Sequence, residues 1–180
     1  MLEINYLELV LIFTACWILV RIICAIRNKG GNALQELKLL PVYICLIVIA
    51  RFVYFPLHLV NGHVRPLRFL AHRIFPFRIN PVPFIHLADI YDGWLINIIG
   101  NIAMFIPMGI VWPICFKKID TIAKTVLAGA GLSLLIEVTQ LLFYERFSDI
   151  DDLLLNTCGA FLGALILFSI RRLRSKRYRE

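Results

Sequence analysis

Apolar residues along this chain collect in five long runs, at about residues 7–26, 39–60, 94–116, 123–143 and 152–170. Each has close to the 20 or so residues that a helix needs to cross the hydrocarbon core of a bilayer. The pattern predicts an all-α, polytopic transmembrane bundle of about five helices, forming one membrane domain over residues 1–180. Polar punctuation supports these runs. Arg21 lies near enough to the end of the first to snorkel, and Pro41 opens the second as suits a first helical turn. Pro107 frees the carbonyl of Ala103 and predicts a kink in the third run.

Composition points the same way. The chain is 60% hydrophobic and 17% charged, with a mean hydropathy of +0.80; soluble domains are about half apolar and about a quarter charged. An excess of this size has to be solvated by lipid, because a soluble globule of this length still exposes much of its surface. The start carries Glu3 and Glu8, whereas a cleaved signal peptide begins with positive charge, so the first run is expected to stay as an anchor. Cys16, Cys24, Cys45, Cys115 and Cys158 sit in apolar runs, are odd in number and form no CxxC. They read as buried free thiols and not as a disulfide framework or zinc site. His58, His63, His72 and His86 lack tight metal spacing, and no metal or cofactor is implied.

Lys and Arg beside short loops stay in the cytoplasm. Arg27, Lys29 and Lys38, then Lys117, Lys118 and Lys124, then the basic tail over 171–180 fall on one side if the N-terminus is outside and the C-terminus cytoplasmic. The tail is expected to lie on anionic lipid, which makes membrane lipid the expected partner and nucleic acid not one. Residues 61–93 run against this bias. Arg65, Arg68, Arg73 and Arg78 alternate there with Phe69, Phe75, Phe77 and prolines, which predicts an interfacial or re-entrant segment between the second and third helices. Its arginines read as a surface anchor or as a site for a phosphate headgroup.

Ionisable groups inside membrane spans are costly, and each marks a candidate site. In the five-helix arrangement Asn97 and Asn101, Glu137 and Gln140, and Asp149, Asp151, Asp152 and Asn156 all arrive at the outer side. Asn97 and Asn101 share a helix face; so do Gly129, Ser133, Glu137 and Gln140, and so do Asp152, Asn156, Gly159 and Gly163. The last two stripes predict close antiparallel packing of the fourth and fifth helices. Two roles fit the polar cluster. It can glue three helices, with Asp149 or Asp151 as an N-cap. It can equally line a pocket open to the outer leaflet, where clustered carboxylates accept a cationic ligand or serve as acid or base. Arg51, in the outer half of the second run, is expected to pair with Glu137 or an aspartate. GxSxG, HExxH, Walker A and kinase signatures are absent from the sequence, and no catalytic residue is assigned.

Three segments in order carry a family resemblance over residues 80–163. They are Asn80-Pro81-Val82-Pro83-Phe84; then Asn97 and Asn101 followed by Phe105, Pro107 and Gly109; then Glu137-Val138-Thr139-Gln140, Arg146-Phe147-Ser148-Asp149-Ile150-Asp151-Asp152, Asn156, Gly159 and Gly163. The chain resembles the VanZ-like family, named for a protein linked to teicoplanin resistance, with its core expected over 80–168. The resemblance implies an envelope membrane protein that lowers sensitivity to lipid-anchored glycopeptides by recognising the antibiotic or a lipid-linked cell-wall precursor. It assigns no reaction. The alternatives are an intramembrane enzyme acting on a lipid-linked substrate, with magnesium or calcium on the carboxylates, and a transporter or assembly subunit.

Overall fold

The five apolar runs fold as five long helices in a computed structural model, which describes residues 2–28, 30–55, 64–69, 78–83, 94–144 and 146–177. In chain order the elements are β1 (Leu2–Ile4), α1 (Tyr6–Arg27), α2 (Ala33–Tyr54), β2 (Leu67–Phe69), β3 (Ile79–Asn80), α3 (Trp94–Cys115), α4 (Ile122–Gln140), β4 (Ser148–Asp149) and α5 (Ile150–Arg177). All five helices are long and apolar enough to cross a membrane. Their starts are chemically marked. Asn5 and Glu8 form a reciprocal capping box on α1, Asn32 accepts the Leu34 N–H at 3.0 Å on α2, and Thr121 accepts the Lys124 N–H at 3.2 Å on α4.

Helix α2 begins six residues before the expected run, which leaves Pro41 in the helix interior and not in its first turn. The polar residues that obscured this start are compensated. Arg21 of α1 donates to both carboxylate oxygens of Glu36, at 2.7 and 2.6 Å. Helix α5 continues through Arg177, so most of the basic tail is helical.

Packing is closest between α3 and α5. A Cβ on Gly159 would overlap the Ile102 carbonyl oxygen, one on Gly163 the Ile106 carbonyl, and one on Gly109 the Ala160 carbonyl. The backbones therefore touch with no side chain between them. The stripe from Asp152 to Gly163, expected to face α4, lies in the cleft between α3 and α4. Its glycines meet α3, while Asn156 reaches Ser133 of α4 at 3.0 Å. Gly129 of α4 admits Ala160 and approaches Met108. Phe105, Met108 and Ala160 are fully enclosed, with Ile49, Val53, Tyr54 and Phe55 of the α2 end packed into the same core.

Between α2 and α3 the described pieces are extended, not helical. β2 pairs antiparallel with β1, Leu67 opposite Ile4 and Phe69 opposite Leu2. β3 pairs parallel with β4, Ile79 opposite Ser148 and Asn80 opposite Asp149. The rest of the expected interfacial segment, including Arg73, His63, His72 and His86, lies outside the described residues, as does His58 just before it. Helix α1 is the least buried helix. It touches α2 through the Arg21–Glu36 pair and a 2.7 Å bond between Thr14 and Tyr43 hydroxyls. A cavity of about 330 Å³ opens beside that contact, lined by Trp17, Ile18, Arg21, Ile22 and Glu36 among others.

The glycine contacts make a direct prediction. Gly159→Ala must push α5 away from α3 and should cost about 1–3 kcal/mol, the usual range for overpacking a filled core. Gly131→Ala, at a position with open space around it, should leave stability unchanged or raise it. Reversible unfolding of the purified protein in mixed micelles measures both.

Candidate functional site

One end of the bundle gathers the C-terminal turns of α2 and α4, the N-terminal turns of α3 and α5, and the β3–β4 pair. The fold positions polar side chains there because each helix is terminated by residues of the next segment. Asp149 sits immediately before α5, and its Oδ1 accepts the Asp151 N–H at 3.0 Å, as an N-cap does. The same carboxylate accepts from Asn80 Nδ2 at 3.2 Å, while the Asp149 N–H donates to Glu137 Oε2 at 2.8 Å. The turn between α4 and α5 is thus folded back onto the last turn of α4.

On the α3 side, Asn101 Nδ2 donates to Asp152 Oδ1 at 2.6 Å and to Asn97 Oδ1 at 3.2 Å. Glu137 and Asp152 are close enough to feel one another's charge. Glu137 is buried, as are Asn101, Gln140, Asp151 and Asn156; Asp149 and Asp152 are half-buried and Asn97 is exposed. The structure therefore brings together the eight polar residues expected at this end. Their hydrogen bonds fall into separate groups: Glu137 with Asp149 and Asn80, Asn97 and Asn101 with Asp152 across α3 and α5, and Asn156 with Ser133 across α5 and α4.

Gln140 has a further task. Its Nε2 donates to the Val53 carbonyl at 3.3 Å, and the Arg146 guanidinium donates to the Tyr54 carbonyl. Together they satisfy carbonyls that the end of α2 leaves without intrahelical partners. Asn80 and Arg146 were visible in the family segments but were not expected as site residues. Asn80 reaches Asp149 only through the parallel strand pair, which no local pattern announces.

One expectation about an arginine is corrected. Arg51 does not pair with Glu137 or an aspartate. It donates to the Phe55 carbonyl at 3.1 Å and lies over the Tyr6 ring at 5.7 Å from its centroid. The reason is position: α2 ends at Tyr54, so Arg51 belongs to its last turn, where free carbonyls attract cations. Of the arginines expected at a phosphate site, two have contacts within the protein. Arg68 pairs with Glu3 at 3.2 Å, and Arg78 stacks on Tyr144 and Phe147 at 5.3 and 5.2 Å. Arg65 is exposed. Among the described residues, no three His, Cys, Asp or Glu side chains are placed to hold a metal ion.

Five membrane-length helices with a cluster of carboxylates and amides at one end define a polytopic α-helical membrane protein. The VanZ/LLP1 family model matches residues 42–171, from within α2 to the end of the apolar part of α5, and the chain belongs to that family. Protein VanZ of Enterococcus faecium is 30% identical over 127 residues, spanning 71% of this chain and 68% of that protein. No solved structure matches.

The cap on α5 is directly testable. Asp149→Ala removes the acceptor shared by the Asp151 N–H and Asn80 and should cost about 1 kcal/mol or more. Asp149→Asn keeps a good N-cap oxygen and should stay near wild type. Thermal unfolding in nanodiscs followed by circular dichroism distinguishes the two.

Proposed function

We propose that this membrane protein lowers the sensitivity of the cell envelope to lipid-anchored glycopeptides of the teicoplanin class. It does so by recognising the antibiotic or a lipid-linked cell-wall precursor at the outer leaflet. The carrying observation is the polar cluster itself: Asn80, Asp149 and Glu137 form one hydrogen-bonded set and Asn101 with Asp152 a second, so residues from all three family segments gather at one end of the bundle. A network used only to hold helices together does not call for four carboxylates at one helix junction, since neutral amides and hydroxyls do the same at lower cost.

The cluster faces outward in this reading, with the N-terminus outside and the C-terminus cytoplasmic. Charge placement supports it. Arg27, Lys38, Lys117, Lys118, Lys124 and Arg171 all belong to the opposite ends of the helices, and Lys and Arg are retained on the cytoplasmic side. Exposed Arg65 beside β2 is available to a phosphate on a lipid-linked ligand at the cluster's rim.

The test is a comparison of teicoplanin and vancomycin sensitivity in a susceptible Gram-positive host. It expresses the wild type, Glu137→Gln, Asp152→Asn or an empty vector at matched membrane levels. The expected outcome is a several-fold rise in the inhibitory teicoplanin concentration for the wild type, with vancomycin unchanged, and loss of that rise in both variants. Protection retained in both variants would reduce the carboxylates to structural roles, and no protection by the wild type would refute the proposal.

A further inference from the structure

The carboxylates of this cluster meet only neutral donors among the described residues. Glu137, Asp149 and Asp152 receive their hydrogens from neutral groups: the Asp149 N–H, Asn80 and Asn101. Among the described residues no ion pair reaches any of these three carboxylates, and nearby Arg51 and Arg78 are turned to a carbonyl and to aromatic rings. Carboxylates collected at the end of membrane helices call for a counter-ion.

A second observation is independent of the acids. Gln140 Oε1 and Asn156 Oδ1 are buried without a hydrogen-bond partner among the described residues, in side chains only 6% and 1% exposed. The amide nitrogen of Gln140 is held by the Val53 carbonyl; turning the amide over would set oxygen against oxygen, so the unpartnered atom is an acceptor. Gln140 lies one helical turn from Glu137, and Asn156 one turn from Asp152, on the same faces. The unsatisfied Gln140 oxygen, beside Glu137 and Asp152 that meet only neutral donors, calls for a donor that also carries positive charge.

We propose that the group received by this cluster is a protonated primary amine carried on a membrane-anchored molecule. The proposal rests on reading the cluster as a ligand site. An ammonium is a compact charge with three divergent N–H donors, which suits acceptors contributed by separate helices. A guanidinium prefers both oxygens of one carboxylate, whereas the free acceptor sites here are spread over Glu137, Asp152 and Gln140 on separate helices. The carboxylates are also not grouped for a metal ion. The site lies at the ends of membrane-spanning helices, within reach of a headgroup or of a short peptide attached to lipid.

The full chain in phosphatidylcholine nanodiscs, whose own headgroup has no N–H, provides the test. Its thermal midpoint is followed while dodecylamine, dodecyltrimethylammonium or dodecanol is added. Dodecylamine at neutral pH should stabilise saturably, at a concentration about tenfold or more below that needed by the other two, a difference of about 1.4 kcal/mol. Asp152→Asn, which keeps an oxygen for Asn101, should weaken the response about tenfold, as should Glu137→Gln. Two further arms separate the sources of the amine: discs containing phosphatidylethanolamine, and an N-acylated lysine peptide. Saturable stabilisation by either identifies a headgroup or a peptide amine as the natural form. Equal responses to all three dodecyl compounds overturn the proposal, and this wild-type comparison needs no variant to fold. Undiminished dodecylamine binding in both variants overturns it as well. Antibiotic protection without amine preference would sink this inference alone, whereas amine preference without protection would sink only the proposed function.

Discussion

The distance between α3 and α5 governs the polar end of this molecule, and glycine sets it. In lipid, apolar side chains gain little by leaving one another for a neighbouring helix, so association depends on close packing and on bonds across the contact. Gly109, Gly159 and Gly163 remove every side-chain atom from that contact and let carbonyl oxygens rest against the facing helix. Asn101 and Asp152 then stand 2.6 Å apart at the end of the same pair of helices. An added methyl group near the middle of the pair would widen the separation at its end, where the tolerance of a hydrogen bond is a few tenths of an ångström.

From that pair the rest of the cluster follows in sequence. α5 presents two faces, one to α3 through its glycines and one to α4 through Asn156. The short turn that brings α4 to α5 has Asp149 at its centre, with its amide on Glu137 and its carboxylate on Asn80 and on the first turn of α5. α2 joins through its C-terminal carbonyls, held by Gln140 and Arg146. Helix α1 stands apart from this network. It is the least buried helix and lies before the first residue of the family match, which makes the cluster a property of α2 to α5.

The helices were legible because lipid imposes a length and an apolarity that few other environments do. The candidate residues were legible for the complementary reason: Glu137, Asp152, Asn101 and Asn156 are conspicuous where nearly everything else is Leu, Ile or Phe. What could not be read depended on pairing at a distance. The start of α2 was misplaced because Glu36 looks like a loop residue until Arg21 is seen beside it. Arg51 was given a carboxylate because its helix was extended past Tyr54, and the carbonyls that hold it appear only once the helix stops there. Strands of two or three residues have no periodicity to detect, so the pairing of Asn80 with Asp149 had no signal beyond their presence in one set of motif segments.

That parallel pair has a consequence for biosynthesis. Residues 80 and 149 are separated by both α3 and α4, so the two strands clasp the ends of a complete helical hairpin. A chain is made from its N-terminus, and Asn80 and Asn101 are therefore placed in the membrane well before Asp149 exists to meet them. Until α5 inserts, the junction lacks Asp149, Asp151, Asp152 and Asn156, and the amides of α3 face lipid or headgroup water alone. α5, made after α3 and α4, is the helix that completes the polar cluster. A chain halted after α4 would hold α1 to α4 with Glu137 still lacking the Asp149 N–H that it accepts in the finished fold.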